Sequence, residues 1–201
     1  MSLPEEPRPG LDLATVHVTR RQLIGEKEIL VLDNLFAASD LASTFDFLRQ
    51  MPFRLNDIDT EETAHVRHWK ADLPLPMATN FPVFRRCIEL ACELMPFPQP
   101  LVLQRIYANL NLHGDIQFAH TDCRHGVTAL YYANSEWNEK WMGETVFCDD
   151  NWEPLYVVAP KPGRLVLFHG NIPHRGGVPS RECYQPRISV AFKFEPGTRD
   201  S

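Results

Sequence analysis

The segments LVLQRIYANLNL (101–112), VTALYYAN (127–134), ETVFCDD (144–150), LYVVAP (155–160), RLVLFHG (164–170) and RISVAFKFE (187–195) decide how this chain folds. Each is short and rich in β-branched and aromatic residues, and Gly, Pro, Asn or Asp clusters separate them. Such strands at fairly even spacing predict an all-β sandwich or barrel. The texture upstream differs. Ile29–Asp33 (ILVLD) reads as a buried strand. A helix follows, with Ser39 as N-cap, Asp40 in the first turn, and Leu41, Phe45 and Leu48 at helical spacing before Pro52. A second helix is predicted over about 81–95. Pro82 lies near its start, Phe84, Cys87, Ile88, Ala91 and Met95 form one core-facing stripe, and Pro96 ends it. The expected class is α+β: one domain over 1–201, with a loose tail at 1–11, a helical and β support at 12–100, and a β core at 101–195. No internal repeat and no linker divides the chain.

Composition narrows the function. The 201 residues are 44% hydrophobic and 23% charged, as in ordinary globular chains. The 17 prolines and 10 glycines fall well short of the roughly 25–30% that marks low-complexity chains. Net charge is −6, without the basic footprint that phosphate-backbone binding needs, so no nucleic-acid partner is expected. No apolar run approaches the roughly 20 residues that cross a bilayer, and no membrane partner is expected. The start, Met-Ser-Leu-Pro-Glu-Glu, lacks the pattern of a secretory signal. Five cysteines without a CxxC pair argue against a disulfide framework or zinc knuckle and suit a reducing cytoplasm.

The chemistry concentrates in the β part. In His120-Thr121-Asp122, residues two apart on an extended chain share a face, so an imidazole and a carboxylate aim at one point. His174 lies 54 residues downstream, after the strand RLVLFHG. Two histidines and one carboxylate inside a barrel are the facial triad that holds non-haem Fe(II) and leaves coordination positions open. On these residues alone, a surface turn with an unrelated later histidine is the competing reading. Arg187, 13 residues after His174, opens an apolar strand. A guanidinium there is expensive to bury without a partner. It offers a fork to a carboxylate, and Ser189 faces the same way with a hydroxyl. The alternative partner is an acidic side chain of the protein itself.

In order, RIYANLNLHGDIQFAHTD, VTALYYANSEWNEKWMGETVF, VVAPKPGRLVLFHGNIPHRG and PRISVAFKF resemble the iron(II)/2-oxoglutarate-dependent oxygenases, in their prolyl 4-hydroxylase-like branch. The resemblance covers roughly residues 101–195. It implies a double-stranded β-helix, the jelly-roll or cupin-like barrel, with supporting N-terminal helices. It implies Fe(II) ligation by His120, Asp122 and His174, and O₂ and 2-oxoglutarate as co-substrates. Arg187 then takes the distal carboxylate of 2-oxoglutarate, with Ser189 as helper and Tyr107 reaching the co-substrate from the strand before H-x-D. Many prolyl hydroxylase-like relatives have lysine where this chain has Arg187, which loosens the branch assignment. Gly143-Glu144-Thr145 matches a turn of mainly structural role. Related halogenases lack the carboxylate, so Asp122 favours hydroxylation.

The implied reaction is hydroxylation of an unactivated C–H bond with release of succinate and CO₂. A small-molecule substrate is expected. A peptidyl (prolyl-type) hydroxylase and a cupin-like metal module that does not use 2-oxoglutarate are the alternatives. His169 competes with His174 as the distal ligand, because both lie near one strand end. His113 and His125 flank H-x-D and read as loop histidines. His65, Arg67 and Trp69 alternate on one face, with His68 opposite, and are candidates for a substrate mouth. The loop Asn134–Met142, carrying Trp137 and Trp141, either covers the site or packs on the barrel. Oligomeric state is not legible.

Overall fold

A computed structural model describes residues 16–197; the predicted tail at 1–11 lies outside them. The strands are β1 (Val18–Ile24), β2 (Lys27–Leu32), β3 (Arg54–Asp57), β4 (His68–Leu73), β5 (Leu101–Asn111), β6 (Val127–Tyr132), β7 (Thr145–Cys148), β8 (Pro154–Val158), β9 (Leu165–His169), β10 (His174–Arg175) and β11 (Arg187–Pro196). They form an eight-stranded sheet in the order β1-β2-β9-β6-β11-β5-β4-β3 and a three-stranded sheet in the order β10-β7-β8. All strand pairings are antiparallel. This is the α+β, double-stranded β-helix class that the sequence pointed to. The upstream half contributes more than support, however: β1 to β4 are half of the larger sheet.

The strand period of two gives the larger sheet two distinct faces. On one, Leu30, Leu32, Ala129, Tyr131, Leu167, Val190 and Phe192 pack against the helices α1 (Ala38–Leu48) and α3 (Pro82–Leu94). On the other, Ile29, Val31, Leu130, Val166 and Phe168 meet Phe147 and Val158 of the smaller sheet. Both faces are covered, which explains why β6 is buried at all six positions and shows no alternation of apolar and exposed polar residues.

The helices follow the expected stripes with two corrections. Helix α1 begins one residue before Ser39, so Ser39 is not the N-cap. Extended Ala37 occupies that position, and the Asp40 side chain reaches back to accept its N–H at 3.3 Å. The acidic residue three places into the helix thus satisfies the N-cap's own amide, while alanine offers no side-chain oxygen to the first-turn amides. A short helix α2 (Leu75–Asn80), absent from the sequence reading, precedes α3. Helix α3 starts with Pro82 and buries Phe84, Cys87 and Ala91 as expected, together with Val83 and Leu90, while Ile88 stays half-buried.

One buried ion pair ties the two halves of the chain together. Arg164 donates from Nε to Asp33 Oδ1 at 2.7 Å and from its Nη2 to Asp33 Oδ2 at 2.9 Å, with a third bond to the Ala159 carbonyl. Burial alone would raise the Asp33 carboxyl; the bond and charge of Arg164 hold it below its ordinary 3.8. Asp33→Ala leaves the guanidinium buried without its partner. It should lower the unfolding free energy by about 3–5 kcal/mol in urea denaturation. Because the folded value is depressed, the pair's contribution is complete above the ordinary aspartate range. It fades as pH falls through the lower folded value. The stability gap between wild type and Asp33→Ala should therefore narrow as pH falls below the ordinary aspartate value of about 3.9.

Candidate active site

The smaller sheet continues one residue beyond its last strand, and that residue is His120. His120 and His174 form an isolated antiparallel bridge, exchanging both backbone N–H···O bonds at 2.9 Å. The pairing sets the two imidazoles side by side, with centroids 4.8 Å apart. Each ring is then oriented in the same way. His120 Nδ1 lies 3.1 Å from the carbonyl of Phe118, and His174 Nδ1 lies 2.9 Å from that of Ile172, in both cases two residues upstream. A carbonyl only accepts, so each Nδ1 carries a proton and, in the neutral ring, each Nε2 keeps a free lone pair. Both Nε2 atoms face Asp122, at 3.7 Å from Oδ1 for His120 and 3.4 Å from Oδ2 for His174. One donor atom from each of the three residues lies within 4.8 Å of the others. Phe147 and Phe168 wall His174 on its apolar side.

The loop after β9 fixes the third member. Asp122 N–H bonds to the Gly170 carbonyl at 2.8 Å. A Cβ at Gly170 would lie 2.4 Å from Cys123 Sγ, so a larger residue there would have to displace the Cys123 side chain. Burial alone would raise the Asp122 carboxyl, but Lys193, His174 and His120 hold it well below 3.8. Burial pushes His174 down to about 4 against the pull of Asp122. Burial also acts on His120, but Asp122, the Phe118 carbonyl and Asp59 raise it above 6.5. The set is thus an ionised carboxylate with two imidazoles whose Nε2 atoms converge, which fits a divalent transition metal.

Two neighbours of the set escaped the sequence reading. Lys193, buried on β11, pairs its ammonium with Asp122 Oδ2 and donates to Thr128 Oγ1 at 3.2 Å, while Thr128 donates to the same carboxylate. Period two from Arg187 through Ser189 and Ala191 leads directly to Lys193, and that signal was available. Asp59 accepts from the Phe118 amide at 2.7 Å and lies 2.9 Å from His68 Nε2 and 3.4 Å from His120 Nδ1. Burial would raise Asp59, but these groups hold it below its ordinary value. Nothing in the sequence around Asp59 announced it.

A cavity of about 350 Å³ connects these residues to Arg187. Arg187 is 2% exposed, yet among the described residues no carboxylate lies within salt-bridge distance of it. Its partners are all neutral: the Gly143 carbonyl at 2.8 Å, Asn111 Oδ1 at 3.2 Å, Ser189 Oγ at 3.3 Å and Thr145 Oγ1 at 3.2 Å, with the Tyr132 ring 5.1 Å away. The alternative of an internal acidic partner is therefore overturned. Gly143-Glu144-Thr145 does more than turn the chain, because it supplies two of these four acceptors. Gly143 sits at φ +85°, and a Cβ there would lie 3.0 Å from Arg187 Cδ. Ser189 accepts from Arg187, which leaves its own hydroxyl proton available. Tyr107 is buried in the cavity wall, 5.7 Å from Lys193 Nζ to ring centroid.

The remaining candidates fall outside the cavity. His169 packs on Phe97 with centroids 5.5 Å apart, away from the His120–Asp122–His174 group. His113 contacts the Pro179 carbonyl and His125 is exposed. The alternation at 65–69 resolves opposite to expectation, since His68 lines the cavity whereas His65, Arg67 and Trp69 do not. His68 begins β4, and the register of β4 on β5 turns it inward. The 134–142 loop does not line the cavity. Trp137 and Trp141 stack edge to face, Trp141 meets Tyr184, and Trp137 Nε1 donates to the Met142 carbonyl.

Residues 103–194 match the family model described as the 2OG-Fe(II) oxygenase superfamily. Residues 103–194 belong to that superfamily. Its members use Fe(II), 2-oxoglutarate and O₂. Among solved structures, a Pseudomonas putida prolyl-4-hydroxylase shares the fold at 16% identity and TM-score 0.60, over 93% of this chain and 96% of that one. HygX from Streptomyces hygroscopicus, with nickel and 2-oxoglutarate bound, aligns at 17% identity and TM-score 0.61, over 84% and 82%. A Trichoplax adhaerens prolyl hydroxylase, in complex with a hypoxia inducible factor peptide fragment, aligns at 17% identity and TM-score 0.58, over 84% and 83%. No curated protein matches the chain by sequence.

The placement of the two strand-end histidines separates their roles in solution. His174→Ala and Asp122→Ala should each weaken Fe(II) or Ni(II) binding by more than about a hundredfold in anaerobic titration calorimetry, while His169→Ala should leave it unchanged. Equal losses in His174→Ala and His169→Ala would contradict the convergence described above.

Proposed function

We propose that the protein is an Fe(II)- and 2-oxoglutarate-dependent dioxygenase that hydroxylates an unactivated C–H bond of a small molecule. His120, Asp122 and His174 hold the metal, Arg187 binds the distal carboxylate of 2-oxoglutarate, and Ser189 and Tyr107 assist on the same wall. The observation that carries this reading is the buried Arg187 guanidinium, which opens onto the same cavity as the convergent Nε2 and carboxylate atoms and has only neutral partners. A desolvated cation without a counter-charge is unfavourable by several kcal/mol, and a dianionic co-substrate supplies that charge.

When bound, the Fe(II) centre with 2-oxoglutarate and O₂ supplies the oxidising power for C–H cleavage. The chain's own side chains do the positioning. The Phe118 and Ile172 carbonyls fix the imidazole tautomers, and Lys193 and Thr128 keep Asp122 ionised and fixed in orientation. Gly143 and Thr145 aim Arg187 down the cavity, and Phe147 and Phe168 exclude water behind His174. The polar wall of the cavity, with Arg105, Asn109, Asn111 and Gln117, favours a hydrophilic small molecule over a peptidyl proline ring.

Arg187→Met keeps the bulk and removes the charge. Losing one member of a desolvated pair is worth about 3–5 kcal/mol, so 2-oxoglutarate should bind the metal-loaded variant at least about a hundredfold more weakly. Metal affinity should stay within a few-fold, because the arginine is not a ligand. Arg187→Lys should raise the apparent KM for 2-oxoglutarate and spare much of kcat, since it retains the charge without the planar fork. Titration of 2-oxoglutarate into the Ni(II)-loaded protein, followed by succinate formation with Fe(II), measures both. Unchanged 2-oxoglutarate binding by Arg187→Met would place the anchor elsewhere.

A further inference from the structure

Two carboxylates in the cavity wall are matched by ammonium groups, Asp57 by Lys70 at 3.0 Å and Asp122 by Lys193, and the third, Asp59, is held by His68 at 2.9 Å, His120 and the Phe118 amide. Two guanidiniums in the same wall are not matched: Arg187 and Arg105. Among the described residues neither has a carboxylate within salt-bridge distance. They lie at opposite ends of one floor. Arg187 pairs in register with Asn111 of β5, and Lys193, six residues along β11, pairs with Arg105. At the rise of an extended strand this separates the two ends by about 20 Å. The Arg105 end is the one beside the metal set, because Lys193, its cross-strand neighbour, contacts Asp122.

The surroundings of Arg105 favour an anion. Tyr107, two residues on and on the same face, has three cations around its ring: Arg105 Cζ at 5.1 Å, Lys70 Nζ at 5.6 Å and Lys193 Nζ at 5.7 Å. The ring holds the Arg105 guanidinium in a cation–π contact, which uses none of its N–H groups and leaves them free for a ligand. With the co-substrate neutralising Arg187, and Lys70 and Lys193 already paired, Arg105 is the cation in this part of the cavity that lacks a carboxylate partner among the described residues.

We propose that the substrate carries an anionic group, a carboxylate or a phosphate, which Arg105 receives at the cavity end away from Arg187, leaving the rest of the molecule directed towards His120, Asp122 and His174. This rests on the oxygenase reading and adds the substrate's charge and the residue that selects it. Arg105 is a specificity residue and not a metal or co-substrate contact, so its removal leaves both of those sites intact. Arg105 is exposed, so substitution there does not open the core.

The test uses protein loaded with Ni(II) and saturated with 2-oxoglutarate, so that Arg187 is already occupied. Four probes of one chain length are titrated by ligand-observed NMR: hexanoate, hexyl phosphate, hexanamide and hexylamine. Binding of one or both anions, with the amide and amine at least about tenfold weaker, is the expected pattern. Arg105→Gln should then weaken the anions by roughly tenfold to a hundredfold, and Arg105→Lys should restore part of that loss. The ratio of hexanoate to hexyl phosphate affinity distinguishes a carboxylate from a phosphate site. Preference for the amide or amine, no measurable binding of either anion, or unchanged anion affinity in Arg105→Gln overturns the proposal. Failure of the oxygenase reading is seen separately, in the preceding titration, as absence of Arg187-dependent 2-oxoglutarate binding.

Discussion

The two backbone hydrogen bonds between His120 and His174 are the constraint on which the site depends. A residue arriving from the β5–β6 connection is stitched to the short strand β10 and becomes the outermost member of the smaller sheet. Sheet geometry then brings the imidazoles together without any side-chain bond between them. The repeated carbonyl contact two residues upstream of each histidine sets the tautomers in the same way. The site is therefore prepared by backbone structure, and the side-chain partners of Asp122 complete it.

Charge distribution forms the second organising element. Three pairs inside the fold are closed: Asp33 with Arg164, Asp57 with Lys70 and Asp122 with Lys193. The first joins β2 to the turn before β9 and stabilises the architecture. The third is different in kind, because its carboxylate is shared with two imidazoles. Against this background of matched charges, Arg187 is informative because its neighbours are amide, hydroxyl and carbonyl oxygens. They orient the guanidinium while leaving its charge for something that arrives from outside.

The β core and its chemistry were legible because local patterns carry them. Alternation along RISVAFKF and RIYANLN places Arg187, Ser189 and Tyr107 on one face, and the H-x-D spacing does the same for His120 and Asp122. What was not legible depends on distant register. Whether His65 or His68 faces the cavity is decided by how β4 pairs with β5, and Asp59 reaches His120 only because a loop before β4 folds across the sheet. The choice between His174 and His169 also needed tertiary information, since both lie near the end of one strand. Ser39 yielded the cap to Ala37 because Asp40 can bond the preceding N–H from within the first turn. Lys193 was readable in principle, being on the same face as Arg187, but its partner Asp122 lies 71 residues earlier in the chain.

The order of strands in the larger sheet carries a consequence for how the chain is divided. Within 103–194, the sheet would end at β9 on one side and β5 on the other. In the whole chain β2 covers the first and β4 the second. Excised by itself, that segment would present two long rows of unpaired backbone donors and acceptors flanked by apolar side chains, the template on which chains assemble edge to edge. It would also lose both helices that shelter Tyr131, Phe192 and Phe194. The region that carries the chemistry thus has both sheet edges covered by strands that contain none of His120, Asp122 and His174.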